Sequence, residues 1–405
     1  MYFTFSWRYF KAKISTNAIN IISWITLCVI AFSTMCQVLV LSVFNGFEDL
    51  VQSLYSNFYP DIRIAAAKGK TIFLTANKIS KIKNVTGIKA VSVIAEEKAL
   101  VQNGDYQTVV FLKGVDENYP QVSGVPKKMQ EGNFETGTAD NPLLILGSGI
   151  QNALGAEVDK SVLPVTIFLP KRNAANAGAM ALLSEGNANI SGSFSIQQDF
   201  DNKYVITNID FLKQQMNYNT DEYTAAEISL DPAAKSENII STLKNILGSD
   251  YKIQNKYQQN TSLYTSMRLE KWVIYAILTL ILIIAAFNMI GALTMLVLEK
   301  KKDISVLQSL GADKSLVLKI FLSEGLLLAL SGAGIGIVLA IIICGLQVKF
   351  KLIKLEGNSF LIDYFPVKLI ATDFIMVAAT AIIIALIAAW FPAKKAAQQQ
   401  FELRN

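Results

Sequence analysis

The chain has 405 residues, of which 52% are hydrophobic and only 17% charged; that is too apolar for a soluble protein of this length, so the excess belongs in a membrane. Lys and Arg (37) exceed Asp and Glu (32) by five, and much of the local excess flanks the apolar spans, which points to membrane topology and not to nucleic acid. There is no His, which removes His-based triads, His general bases and most zinc sites, and the three Cys (Cys28, Cys36, Cys344) all lie in apolar spans, where no disulfide framework or metal cluster is expected.

Residues 1–20 interleave Phe3, Phe5, Trp7, Tyr9 and Phe10 with Arg8, Lys11 and Lys13, the mark of an amphipathic segment at a membrane surface, expected on the cytoplasmic side. No charge occurs from Ile14 to Phe47. Residues 21–47 are therefore expected to cross a hydrocarbon core of about 30 Å at about 1.5 Å per residue. A signal peptide would have a shorter apolar region ending in a small-residue cleavage site. This span instead runs into Ser42-Val-Phe-Asn-Gly-Phe47, and it is read as an uncleaved first transmembrane helix.

Residues 48–270 change character. Glu48 to Ser56 reads as a helical extension of the first span. Strands are expected at Asp61–Ala65, Thr71–Leu74, Ala90–Ile94, Ala99–Gln102, Gln107–Val115, Leu143–Leu146, Leu163–Leu169, Tyr204–Thr207, Ala225–Leu230 and Tyr251–Gln254. Asn103-Gly104-Asp105 is a hairpin turn signal. Helices are expected at Ala76–Ile82, near Gln151–Leu154 and at Glu237–Ile246, and Lys171–Asn189 is read as an exposed loop. Strand–helix–strand units occur at both ends of the region. The expected architecture is an α+β domain whose first and last quarters pair, with a β-rich lobe inserted between them.

Apolar spans return at residues 271–299, 316–348 and 369–392. The fold class is thus a membrane protein with four transmembrane α-helices (1+3) and a large extracytoplasmic α+β domain inserted between helices 1 and 2. Asn288 lies deep in the second span, where an amide pairs across helices, and Gly332 and Gly336 form a GxxxG packing face in the third. Residues 349–368 are a short extracytoplasmic loop. Pro392 is expected to end the fourth span before a cytoplasmic tail, 393–405. Four spans put both termini on one side; the basic residues favour the cytoplasm for them only modestly, but a long domain translocates largely regardless of charge.

Residues 300–315 form the distinctive polar segment. Ile304, Leu307 and Leu310 recur at helical spacing, with Lys302 and Asp303 beside them, Gly311 as the stop and Asp313 as the next start. A simple loop needs no amphipathic turn, so this is read as a docking helix for a partner. Catalysis has little to stand on: Gly69-Lys70-Thr71 has Ile64 where a phosphate loop needs its first Gly, Ser148 lacks both elbow spacing and a His, and Asp199 with Asp201 reads as a solvated turn. No catalytic residue, metal site or cofactor is expected, and any work must be driven by a partner.

The run Asn288-Met-Ile-Gly-Ala-Leu-Thr-Met-Leu-Val-Leu-Glu-Lys-Lys-Lys-Asp303-Ile-Ser-Val-Leu-Gln-Ser-Leu-Gly311-Ala, together with Phe321-Leu-Ser-Glu-Gly325 and Trp390-Phe-Pro-Ala-Lys-Lys-Ala396, resembles the FtsX-like permeases of the MacB-type ABC transporter superfamily. Arg8-Tyr-Phe10, Asn20-Ile-Ile-Ser23, Ser42-Val-Phe-Asn-Gly-Phe-Glu48 and Asp363-Tyr-Phe-Pro366 resemble the branch of the lipoprotein-releasing LolC and LolE subunits. The tail departs from the pattern, with Lys395 for the usual Arg and no following Pro.

The resemblance implies a permease subunit in a bacterial inner membrane, partnered by a separate ABC ATPase and a second permease subunit, either itself or a paralogue. It implies that Lys302, Asp303, Ile304, Leu307, Leu310 and Gly311 couple to the ATPase. Lipoproteins would enter between the first and second spans and pass to a periplasmic carrier; Val38, Leu41 and Phe44 suit acyl chains, though lipid-facing residues would look the same. Two alternatives are a MacB-type efflux permease, which a fused ATPase would mark, and an FtsX-type mechanotransmitting subunit regulating a cell-wall hydrolase, which usually carries a smaller outer domain.

Overall fold

The computed structural model describes residues 17–158, 164–171, 183–355 and 364–398. Expectations for 1–16, the middle of the 171–189 stretch, part of the 349–368 loop and the last seven residues fall outside them. Helix α1 runs without interruption over Asn17–Phe58, so the extension read from Glu48 onward is present.

The inserted domain begins with β1 (Ile62–Ala66), β2 (Ile72–Phe73) and helix α2 (Ala76–Lys83). Strands β3 (Ile88–Asn103) and β4 (Tyr106–Val115) form a long hairpin whose turn places Gly104 at φ +58°, a conformation open to glycine at no steric cost. Then come β5 (Met129–Gly132), β6 (Leu143–Gly147), helix α3 (Ser148–Ala153), β7 (Val165–Pro170), β8 (Leu183–Phe194) and β9 (Tyr204–Asn208). Helix α4 (Ile209–Met216), β10 (Glu222–Tyr223), β11 (Ala225–Leu230), helix α5 (Ser236–Leu247) and β12 (Tyr251–Asn255) complete the domain. Among the described residues the main sheet has ten strands in the order β12-β1-β11-β3-β4-β9-β6-β8-β5, with β7 pairing β3 and β8. The first and last quarters of the domain pair, β1 lying between β12 and β11.

Neighbouring residues on the strands feed opposite faces. Val93, Leu144, Val205 and Ala226 join a core with Ile82, Leu212 and Leu243 from α2, α4 and α5. Their neighbours Ile94, Ile145, Ile206 and Ala225 join a second core with Tyr55 and Phe58 at the end of α1, and with Tyr119 and Phe200. Within that second face a buried ion pair joins Lys113 Nζ to Glu227 Oε1 at 2.8 Å, roofed by the rings of Phe58 and Tyr119. Burial works against the Lys113 charge, but the Glu227 carboxylate more than offsets it and holds the ammonium pKa above its ordinary value.

Two readings of this region are corrected. The strands expected at 90–94 and 99–102 are one strand, because the charges between them are spent on partners distant in sequence: Glu96 on Arg63 at 3.4 Å and Glu97 on Lys70 at 3.3 Å. The end of the expected 171–189 loop is the first half of β8, which pairs with β7 from Val165↔Ala188 to Pro170↔Leu183.

Helices α6 (Thr261–Glu299), α7 (Lys301–Ser309), α8 (Lys314–Phe350) and α9 (Ala371–Ala397) follow. With α1, the helices α6, α8 and α9 are each long and apolar enough to cross a membrane. Helix α9 does not stop at Pro392 but continues to Ala397. A proline inside a helix costs about 3 kcal/mol. Here Ala393, Ala396 and Ala397 beyond it are buried against Val297, Val317 and Phe321, and this packing keeps the last turn helical.

Candidate functional site

Helix α7 turns between two membrane helices. Gly311 at φ +94° follows its last turn, and the Asp313 carboxylate accepts the Leu316 N–H at 2.8 Å to start α8. The structure places Ile304 inside this chain: it is 3% exposed and packed with Val297, Val317, Phe321 and the end of α9. A residue so buried has no free face for a partner, which corrects its place on the docking surface. Leu307 is half-buried, whereas Leu310 is 80% exposed. The outward stripe is Lys302, Val306 and Leu310, one helical turn apart each. Val306 was missed because the sequence pattern followed steps of three from Ile304, and Val306 lies off that row. Asp303 is held by Lys300 at 3.2 Å.

On α1, Val38 and Leu41 are buried against Ala340 and Val377, and Phe44 is half-buried. Val38 packs within the bundle, and Leu41 packs beside it at the edge of a cavity among α1, α6 and α9. The exposed apolar stripe of α1 is Ile21, Trp24, Ile25, Cys28 and Phe32. The inward face is marked in the sequence by the polar residues Thr26, Ser33, Thr34, Gln37, Ser42 and Asn45, which recur at helical spacing and are all buried.

Gly332 and Gly336 do bring helices together. A methyl group on Gly332 would lie 2.9 Å from Ile30 Cγ2, and one on Gly336 would lie 2.4 Å from the Ala31 carbonyl oxygen, so α8 seats its glycines directly on α1. Asn288 is exposed, and open space surrounds the neighbouring Gly291. At the other end of the bundle, Asn45 Nδ2 donates to Asp373 Oδ2 at 2.6 Å, and Lys271 Nζ donates to Asn45 Oδ1 at 2.7 Å and lies 3.3 Å from Asp373 Oδ2. One buried amide thus ties α1, α6 and α9 together. Gly46 is pressed on the Pro366 backbone, where a methyl group would come within 2.3 Å of a carbonyl oxygen. The Asn45-Gly46 step leaving the first span is therefore a packing device.

In the inserted domain the Asp201 carboxylate accepts from the Ile196 N–H at 2.9 Å and the Ser195 hydroxyl at 3.0 Å. Asp199 accepts from the Tyr55 hydroxyl and from Lys203, which hold its carboxyl below the ordinary range. Both carboxylates stabilise a turn. Among the described residues no His/Cys/Asp/Glu group is arranged to hold a metal ion.

This is the architecture of an ABC transporter permease: four membrane helices, a short turn helix between the second and third, and a large domain between the first and second. The family model for the MacB-like periplasmic core domain matches residues 23–246, and that for the FtsX-like permease C-terminal region matches residues 275–401. The chain belongs to this family of FtsX-like, MacB-type permeases and is a multi-pass bacterial inner-membrane protein. It is 26% identical to the lipoprotein-releasing system transmembrane protein LolE of Haemophilus influenzae, over 98% of this chain and 97% of that protein. It is also 26% identical to LolC of Neisseria meningitidis, over 97% of this chain and 96% of that protein. Among solved structures, the periplasmic region of MacB from Actinobacillus actinomycetemcomitans is similar with a TM-score of 0.37 and 13% identity, covering 53% of this chain and 98% of that one.

Proposed function

We propose that this permease subunit releases lipoproteins from the inner membrane towards a periplasmic carrier, using ATP hydrolysed by a separate ABC ATPase. The observation that supports it most is the exposed stripe Lys302, Val306 and Leu310 on a short helix held rigidly between two membrane helices. An apolar pair next to a cation suits a groove on a soluble ATPase. The relatives over nearly the full length are named for lipoprotein release, which supports the cargo.

In this reading Leu307 flanks the contact, while Ile304, Asp303 and Gly311 hold the helix in place. Residues 48–270 lie outside the cytoplasm and both termini inside. A second permease subunit, this chain again or a paralogue, completes the complex. Acyl chains run along the exposed Trp24–Phe32 stripe of α1, not along Val38 and Leu41. The chain itself performs no catalysis and needs no cofactor.

Depletion of the protein is expected to strand acylated lipoproteins in the inner-membrane fraction, as membrane fractionation with lipoprotein detection will show. Normal lipoprotein sorting with a defect in toxin resistance or cell separation would support the efflux or cell-wall reading instead. Val306→Asp is expected to abolish co-purification of the ATPase, because a carboxylate cannot be desolvated in an apolar groove. Unchanged co-purification and hydrolysis in Val306→Asp and Leu310→Asp would make α7 a turn and nothing more.

A further inference from the structure

A cavity of about 340 Å³ opens among the ends of α1, α6 and α9 that carry the Asn45–Lys271–Asp373 cluster. Its polarity is graded along the helix axes. Glu48 and Arg268 form the rim, and Leu41, Tyr275 and Met376 form the floor. Leu41 lies seven residues before Glu48 on α1, and Tyr275 seven residues after Arg268 on α6, so rim and floor are about 10 Å apart along helices rising about 1.5 Å per residue. All three helices therefore pass from charged to apolar in the same direction. Trp272 also lines the cavity and meets Tyr275 edge to face, the pair of residue types that settles at the headgroup level of a bilayer.

The charges are also sorted. Lys271 and Asp373 largely neutralise each other, while among the described residues Arg268 and Glu48 make no ion pair. One free guanidinium and one free carboxylate thus stand at the mouth of a cavity with an apolar floor. The volume falls at the small end of ligand sites, enough for a headgroup and too little for a folded cargo.

We propose that this cavity binds a zwitterionic glycerophospholipid whose headgroup carries a phosphate and a primary amine. Arg268 takes the phosphate in a two-point contact, and Glu48 accepts hydrogen bonds from the ammonium. Tyr275 and Met376 face the glycerol esters and the first methylenes. The site is separate from the proposed ATPase contact and does not depend on what the cargo is.

The test is native mass spectrometry of the full-length protein extracted from vesicles of phosphatidylethanolamine, phosphatidylglycerol and phosphatidylcholine in equal parts. One retained phosphatidylethanolamine per chain is expected, in preference to the other two. Arg268→Gln is expected to weaken retention about tenfold, the scale of one lost charge-assisted hydrogen bond. Arg268→Lys should recover part of it. Glu48→Gln is expected to keep a lipid but lose the preference for the amine headgroup. Equal retention of the three lipids by the unaltered protein overturns the proposal, whatever the variants do. So does full displacement by soluble phosphoethanolamine, which would make the site one for a free phosphate ester.

Discussion

Lys113→Met is expected to destabilise the inserted domain by about 3–5 kcal/mol, since it leaves a carboxylate buried without a partner. Glu227 is 1% exposed at its side chain, and the rings of Phe58 and Tyr119 stand near the ammonium that would be lost. Water cannot replace Lys113 there. Adding Glu227→Leu to the same protein is expected to restore most of the stability, because removing both charges also removes the cost of desolvating them. Resistance of the domain to protease in the full-length protein, followed across urea concentrations, measures both. A loss below about 1 kcal/mol for the single variant would mean that water reaches the pair.

Gly336→Leu is expected to cost about 3 kcal/mol and to unseat α8 from α1. The first side-chain carbon would already lie 2.4 Å from the Ala31 carbonyl oxygen and 3.0 Å from the Met35 nitrogen, both backbone atoms that cannot turn aside. Gly334, two residues earlier on the same helix, has nothing within 4 Å of that position. Gly334→Leu is therefore expected to leave the thermal unfolding midpoint of the solubilised protein unchanged or raise it, since glycine within a helix costs roughly 0.5–1 kcal/mol relative to alanine. Equal effects at the two positions would show that the GxxxG spacing plays no part in packing.

The membrane helices were legible because a run of about twenty or more uncharged, apolar residues has one stable form in lipid, with its backbone bonds closed within the segment. The helix bounds around α7 were legible for a local reason as well: Gly311 and Asp313 act on the backbone within three residues. What the sequence hid depends on partners far away in the chain. Strand β3 seemed broken at Glu96-Glu97-Lys98 because Arg63 and Lys70 could not be foreseen opposite those carboxylates. Strand β8 was concealed by its small inward residues. Gly186 and Ala188 are buried, and Gly186 leaves room for the Phe211 ring of α4, so an inward face made of glycine and alanine does not register as apolar. At the candidate site the ambiguity was rotational. Ile304, Val306 and Leu307 are all apolar, and packing against α6, α8 and α9 decides that Ile304 turns in and Val306 turns out.

The pairing of β1 with β12 sets how the inserted domain responds to tension. The chain enters at Ile62 and leaves at Asn255, and those two residues are opposite each other in an antiparallel pair. A pull that separates the flanking segments acts first on the Lys256–Asp61 ion pair and the Gln259–Pro60 hydrogen bond, then on the rungs Ile62↔Asn255, Arg63↔Gln254 and Ile64↔Ile253 in turn. The rungs open one after another, as in a zipper, and no two share the load. Strand β12 is the outermost in its sheet, so it can peel away while β1 stays bonded to β11. Traction between the first and second membrane helices would therefore peel β12 rung by rung, drawing Ile253 out of the core while Tyr55 and Phe58 hold the end of α1 in the other.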